Sequence, residues 1–300
     1  MTTLMERMRE ELVRRCFSPT TIWSYLHAVK VFQESIGKPL EDAGPDDIRR
    51  HHVQLLEDRK LAKGTVVIHI CALRFLYVRV LKRREMKEDL PYPKCRKRLP
   101  AVLSKEEVGQ LIDSAKNLYH RTLLITLYGT GVRRSELQRL KVCNIDSQRM
   151  ILRVEDGKGG VDRDLPLSPQ LLAALREYWR WMRPKTYLFP GTVNGWRADK
   201  PITSKVIWEA VREAALKAGI RKRVSPHTLR HTYATHLLEE GADLRTIQFL
   251  LGHADLSHTT VYLHLSQKHL QAAPNLLEQI QVSGTDRLKR SRKLCKPTSA

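Results

Sequence analysis

Apolar positions recur at three- and four-residue spacing through most of the chain. Ile22, Tyr25, Leu26, Val29, Phe32 and Ile36 form one such stripe, the mark of a helix that buries one face. Ser18-Pro19 ahead of it supplies an N-cap and a proline at the first helical position, and Gly37 ends it. A second helix start stands at Gly44-Pro45-Asp46-Asp47. A third helix runs from about Ala62, with Val66, Ile70, Leu73, Tyr77 and Val80 as its apolar stripe. The sum over residues 1–86 is a small helical bundle.

The pattern changes at residues 87–100, KEDLPYPKCRKRLP, which carry three prolines and a basic cluster. That is linker composition. A second unit is expected over 101–282. It opens on a capping box, Ser104 to Glu107, followed by two helices that break at Gly129-Thr130-Gly131. Residues 142–167 switch to period two. Two short strands around a glycine-rich turn follow a first strand near Val142–Asp146, giving a small three-stranded antiparallel sheet. No other stretch reads as β. Helices return at 168–182, 203–218, 225–240 and 243–251, with Gly219, Gly241 and Gly252 at their C-terminal ends. The tail, 283–300, is polar and basic and is expected to be disordered. The expected fold is mainly α, in two domains.

Composition narrows the class. Hydrophobic residues are 42% and charged residues 28% of the chain, a globular balance. No apolar run approaches the roughly 18 residues needed to cross a bilayer, and the N-terminus has no apolar signal-peptide core. A cytoplasmic location follows as the expectation. Five scattered cysteines without a CxxC pair argue against a disulfide framework and a zinc knuckle. The net charge of +21 points to a polyanionic partner. Charge alone leaves DNA, RNA, a ribosome or a membrane surface open.

Several short constellations can carry chemistry. In His227-Thr228-Leu229-Arg230-His231, His227 and Arg230 share one face near a helix start, where an anion is attracted. His227 and His231 also have metal-pair spacing, but Thr228 stands where the zincin motif needs Glu. Arg133 and Glu136 share a helical face, so the carboxylate can orient the guanidinium. Lys158 lies in a glycine-rich turn that lacks the P-loop pattern. His253 follows a glycine cap, and Tyr262 sits on a short segment with Leu263 and Leu265. Taken singly, each has a plain reading: a helix start, a surface ion pair, a solvated lysine, a packing tyrosine.

Together and in this order, Arg133, Lys158, His227, Arg230, His253 and Tyr262 resemble the active-site set of the tyrosine recombinase (phage integrase) family. The segment HTLRHTYATHLLEEGADLRTIQFLLGHADLSHTTVY is similar to its Xer, integron and phage integrase branches. The resemblance covers about 100–270. The N-terminal helices and linker resemble that family's SAM-like core-binding domain in type and length. His258 stands where a threonine is usual, and the tail after about 270 departs from the Xer pattern.

The resemblance implies a site-specific recombinase that cleaves and rejoins double-stranded DNA through a 3′-phosphotyrosyl link to Tyr262. Arg133, Arg230 and His253 would stabilise the charged phosphorane, His227 would be the base, Lys158 the acid, and Glu136 would hold Arg133. It implies no metal and no cofactor, a tetramer on two DNA sites, a nucleoid-associated location, and a clamp around the duplex. Arg74, Arg79, Lys82, Arg83, Arg84, Lys94, Arg96, Lys97 and Arg98 are the candidates for DNA contact. A mobile-element role is favoured. Chromosome dimer resolution, type IB topoisomerase-like relaxation and catalytically silent DNA binding are the alternatives.

Overall fold

A computed structural model describes residues 3–94, 99–155, 162–193 and 196–266. The chain divides into two compact units, Met1–Arg98 and Leu99–Ala300.

The first unit is helical: α1 (Leu4–Arg14), α2 (Pro19–Ile36), α3 (Pro45–Glu57) and α4 (Lys63–Arg74), which continues through a π-helical turn at Phe75–Val80. Ser18 caps α2 by accepting from the Thr21 N–H, with Pro19 at the first helical position. The predicted stripes turn inward. Val29, Phe32, Val66, Ile70, Leu73, Tyr77 and Val80 all belong to one buried cluster. The first part of the 87–100 stretch is folded onto this bundle. Leu90 is 1% exposed in the same core, and its carbonyl accepts from Arg74 Nε at 2.9 Å. Proline-rich composition reads as linker, but Leu90 in the core, Asp89 paired with Arg49 and Tyr92 under Arg74 anchor its first part.

The second unit begins with α5 (Lys105–Asp113), capped by the Ser104–Glu107 box, and α6 (Leu118–Thr130). A short α7 (Arg134–Arg139) follows. Then come β1 (Ile145–Asp146), β2 (Ile151–Val154) and β3 (Arg163–Pro166), in antiparallel order β1-β2-β3. The first strand is shorter than Val142–Asp146, because Val142–Asn144 form a 3-10 turn. Helix α8 (Pro169–Met182) packs on α6. The expectation of a single β region is corrected here. A second antiparallel hairpin, β4 (Pro190–Val193) and β5 (Trp196–Pro201), forms before α9 (Ser204–Lys217). Its sequence, PGTV and WRADKP, mixes prolines and charges without apolar alternation, so only backbone pairing reveals it. Helices α10 (Pro226–Glu239) and α11 (Leu244–Leu251) follow. A short α12 (Ser257–Thr260) and a 3-10 turn at Val261–His264 complete the described residues of this unit. Among the described residues no helix is long and apolar enough to cross a membrane.

Two glycines shape the site. Gly131 ends α6 at φ +62°, and a Cβ there would lie 2.3 Å from the Tyr233 ring. Gly252 ends α11 at φ +63°, with Arg163 Nη1 only 3.1 Å from where a Cβ would be. Both positions need the left-handed backbone and the missing side chain together.

Candidate active site

The site is built from the ends of helices. Glu136 lies in the first turn of α7 and is 2% exposed. Its Oε2 accepts from the Arg133 backbone N–H at 2.8 Å, and its Oε1 accepts from Arg133 Nη1 at 2.7 Å. On its other side Arg163, 5% exposed, donates from Nη1 and Nη2 at 3.1 and 2.7 Å. Burial alone would push the Glu136 carboxyl up. Hydrogen bonds and charge from Arg163, then Arg133, more than offset this and hold its pKa at about 2. A buried carboxylate is tolerable because its lone pairs are filled by charged donors.

The same arginines tie the helix ends together. Arg133 Nη2 donates to the Gly252 carbonyl at 2.6 Å, and Arg163 Nε to the Leu250 carbonyl at 2.8 Å. Arg230, from the first turns of α10, is 4% exposed. Its Nη1 donates to the Gly131 carbonyl at 2.7 Å and its Nη2 to the Leu251 carbonyl at 2.6 Å. These carbonyls close α6 and α11. There the last C=O groups lack intrahelical partners and the helix dipole is negative. Guanidinium groups answer both needs. Burial first, then the neighbouring Arg133 charge, lower the Arg230 pKa to about 10, so it stays protonated at neutral pH. Arg133 keeps a 17% exposed side chain. Each of these two guanidiniums has five N–H groups and uses only part of them here, which leaves donors for an anion.

Tyr262 lies beside this cationic floor. It is 1% exposed and packs with Tyr233, Ala234, Leu238, Ile247 and Leu251. Burial raises its pKa, while the charges of Arg230 and Arg133 pull it down. Its hydroxyl lies 3.2 Å from His231 Nδ1. His253 Nδ1 is 2.9 Å from Oγ1 of the fully buried Thr259. The His253 ring stacks over Tyr262, with centroids 6.4 Å apart and planes at 13°. Burial, then Arg230 and Arg133, hold the His253 pKa near 3, so the ring is neutral at pH 7.

Of the residues singled out in the sequence, Arg133, Glu136, Arg230, His253 and Tyr262 converge in this one region. His227 is exposed one turn before His231 on α10. Partial burial, then Arg230, Arg134 and Arg133, lower its pKa. Among the described residues no hydrogen bond joins His227 to Tyr262. Lys158 lies outside the described residues. Sequence reasoning missed two members. Arg163 had a signal: it shares the inward face of β3 with Leu165, an odd place for an arginine. His231 was noticed only as half of a metal pair. Its i, i+4 spacing from His227 was the one clue, and nothing in the sequence paired it with Tyr262.

The basic candidates of the first unit divide. Arg74 donates to the Leu90 carbonyl and lies 4.2 Å over the Tyr92 ring, and Arg83 donates to the Ala43 carbonyl. Arg79, Lys82, Arg84 and Lys94 are exposed. Arg96, Lys97 and Arg98 lie outside the described residues.

Known proteins match along nearly the whole chain. Residues 101–269 match the phage integrase family, and residues 4–86 match the phage integrase N-terminal SAM-like domain. A Sinorhizobium fredii protein named as an integrase/recombinase, y4qK, is 44% identical over 279 residues, 93% of this chain and 89% of its own. The tyrosine recombinase XerA of Pyrococcus furiosus is 42% identical over 203 residues, 65% of this chain and 69% of its own. A lambda integrase tetramer bound to a Holliday junction superposes with a TM-score of 0.71 at 18% identity, covering 89% of this chain and 77% of that one. The fold, the buried arginine–tyrosine site and these matches agree, and the chain belongs to the phage integrase family of tyrosine-type site-specific DNA recombinases.

Proposed function

We propose that this recombinase exchanges DNA strands through a 3′-phosphotyrosyl intermediate on Tyr262, in the service of a mobile genetic element. The observation that carries the reading is the seating of one buried tyrosine within the charge of two arginines, which opposes the rise that burial imposes on its pKa without cancelling it. A phenol of ordinary pKa ~10 needs such help to attack at neutral pH. The phenolic oxygen bonds to phosphorus, the P–O5′ bond breaks, and the 5′ oxygen leaves with the electron pair and takes a proton. Lys158 is the proposed donor of that proton. A partner strand's 5′-hydroxyl reverses the step.

Arg133 and Arg230 meet the non-bridging oxygens of the phosphorane, where charge develops. The phosphate approaches from the side of Arg133, the more exposed of the two. Glu136 acts beneath, holding Arg133 by its Nη1 and backbone N–H, and is itself held by Arg163. His253, with Nδ1 turned to Thr259, has Nε2 to donate to the phosphate.

Double-stranded DNA is gripped along the phosphates by exposed cations, with Arg79, Lys82, Arg84 and Lys94 as candidates in the first unit. Two duplexes are joined in a tetramer. The likeness to a lambda integrase tetramer on a Holliday junction supports that assembly. The mobile-element role is supported by the 44% identity to a protein named as an integrase/recombinase and by a basic tail unlike that of Xer proteins. The test is recombination between two plasmids carrying candidate element ends. Joint products that require Tyr262 are expected. Relaxation of any supercoiled plasmid without joint products would contradict the reading in favour of a topoisomerase.

A further inference from the structure

We infer that His231 is the proton acceptor for the Tyr262 hydroxyl, a role that resemblance to the family had led us to expect of His227. The inference rests on the reading of Tyr262 as the nucleophile. Two contacts and one exposure divide the work among the histidines. His231 Nδ1 is the hydrogen-bond partner of the Tyr262 hydroxyl, at 3.2 Å, with the rings 5.7 Å apart. His253 already has its Nδ1 on Thr259, so its stacked ring is held by another partner. His227, one turn earlier on α10, is the more exposed of the two, and among the described residues no hydrogen bond joins it to the Tyr262 hydroxyl. The 3.2 Å separation is somewhat long, as such contacts often are before substrate tightens the site.

The protonation state agrees with the geometry. For the hydroxyl to donate, Nδ1 must be bare and the ring proton must sit on Nε2. Burial, then the charges of His227 and Arg230, hold the His231 pKa at about 4, so the ring is neutral at pH 7. The same positive field makes it a weak base while the site is empty. A bound phosphodiester brings negative charge against Arg133 and Arg230 and offsets that field. The ring becomes more basic when the substrate is in place. Free enzyme is thereby kept from ionising its nucleophile without DNA.

The step balances. The hydroxyl proton passes to His231 Nδ1, and an oxygen lone pair of Tyr262 forms the O–P bond. The P–O5′ pair leaves with the 5′ oxygen, which receives a proton from the acid on its own side. Rejoining runs backwards: His231 returns its proton to the departing phenolate.

The test is single-turnover cleavage of a suicide duplex bearing candidate element ends, followed from pH 5.5 to 9.5. It would compare full-length wild type, His231→Asn, His231→Ala and Tyr262→Phe. His231→Asn keeps an acceptor near the hydroxyl but cannot hold its proton. It should bind DNA as wild type does and cleave ~10²–10⁴-fold more slowly at neutral pH, with the defect shrinking as pH rises. Added imidazole should partly rescue His231→Ala. A 5′-bridging phosphorothiolate, whose sulfur leaves without an acid, should not rescue either variant. A wild-type rate and pH profile in His231→Asn would overturn the inference. So would rescue by the phosphorothiolate, which would move the residue to the leaving-group side. Loss of the wild-type adduct in Tyr262→Phe secures the nucleophile whatever the His231 variants do. Its persistence would sink both readings.

Discussion

Both units bury polar side chains, and they do so in opposite ways. In the first unit His51 and His69 are 3% and 7% exposed inside the helical core. His51 Nδ1 meets Ser35 Oγ at 2.8 Å, but among the described residues His51 Nε2 and His69 Nδ1 have no hydrogen-bond partner. In the second unit Glu136 and Arg163 are as deeply buried, and four N–H groups converge on the Glu136 carboxylate. A neutral ring tolerates an unmet nitrogen at a modest penalty. A buried charge does not. Fully matched buried charge is expensive to assemble, so its presence marks a place where position matters. That place is the support under Arg133.

The contrast can be broken in three places. The largest effect is expected from Glu136→Ala. It leaves Arg163 buried without its counter-ion and should destabilise the chain by ~3–5 kcal/mol, with cleavage lost as well. Urea unfolding followed by far-UV circular dichroism measures it. A change under 1 kcal/mol would mean that the pair is not the support described here.

Acid should weaken the first unit next. Burial first, then the His69 charge, lower the His51 pKa to about 4, from an ordinary 6.5. The unfolded chain therefore takes up a proton from pH 6.5 downward while the folded ring refuses it. Stability is full above that pH and is lost as pH falls towards 4, by at most ~3 kcal/mol from His51. His51→Leu should flatten part of that slope. His231 and His253 act in the same window in the second unit, so the reading must be local. Hydrogen exchange of peptides from α3 and α4 supplies it, and equal acid sensitivity in wild type and His51→Leu would count against the assignment.

The smallest change in stability should come from the exposed cation Arg84. Arg84→Ala should move stability by less than ~0.5 kcal/mol. It should also reduce the log–log salt slope of DNA binding by ~0.9 if the residue neutralises one phosphate. An unaltered slope would remove Arg84 from the DNA-facing set.

Much of this was legible in the sequence because it is periodic or punctuated. Stripes such as Val66–Ile70–Leu73–Tyr77 and caps such as Ser18 and Ser104 fix helices locally, and alternation from Ile151 to Leu165 gives the three-stranded sheet. The β4–β5 hairpin had no such signal, since its residues show no apolar alternation and only the backbone pairing of the folded chain reveals it. Arg133, Glu136 and Arg230 were visible through short helical spacings and their order along the chain. Arg163 reaches Glu136 across 27 residues, and His231 reaches Tyr262 across 31. Neither distance leaves a periodic trace. The carbonyls of Gly131 and Leu251 that hold Arg230 are invisible as side chains altogether.

The most direct test of the central claim is to map the covalent link itself. The protein would be incubated with a suicide duplex carrying candidate element ends, denatured in SDS and digested, and the peptide bearing a nucleotide identified by mass spectrometry. We expect a single modified peptide, with the 3′-phosphate esterified to Tyr262 and no adduct in Tyr262→Phe. A nucleotide attached to any other residue, or an adduct that survives in Tyr262→Phe, would contradict the account.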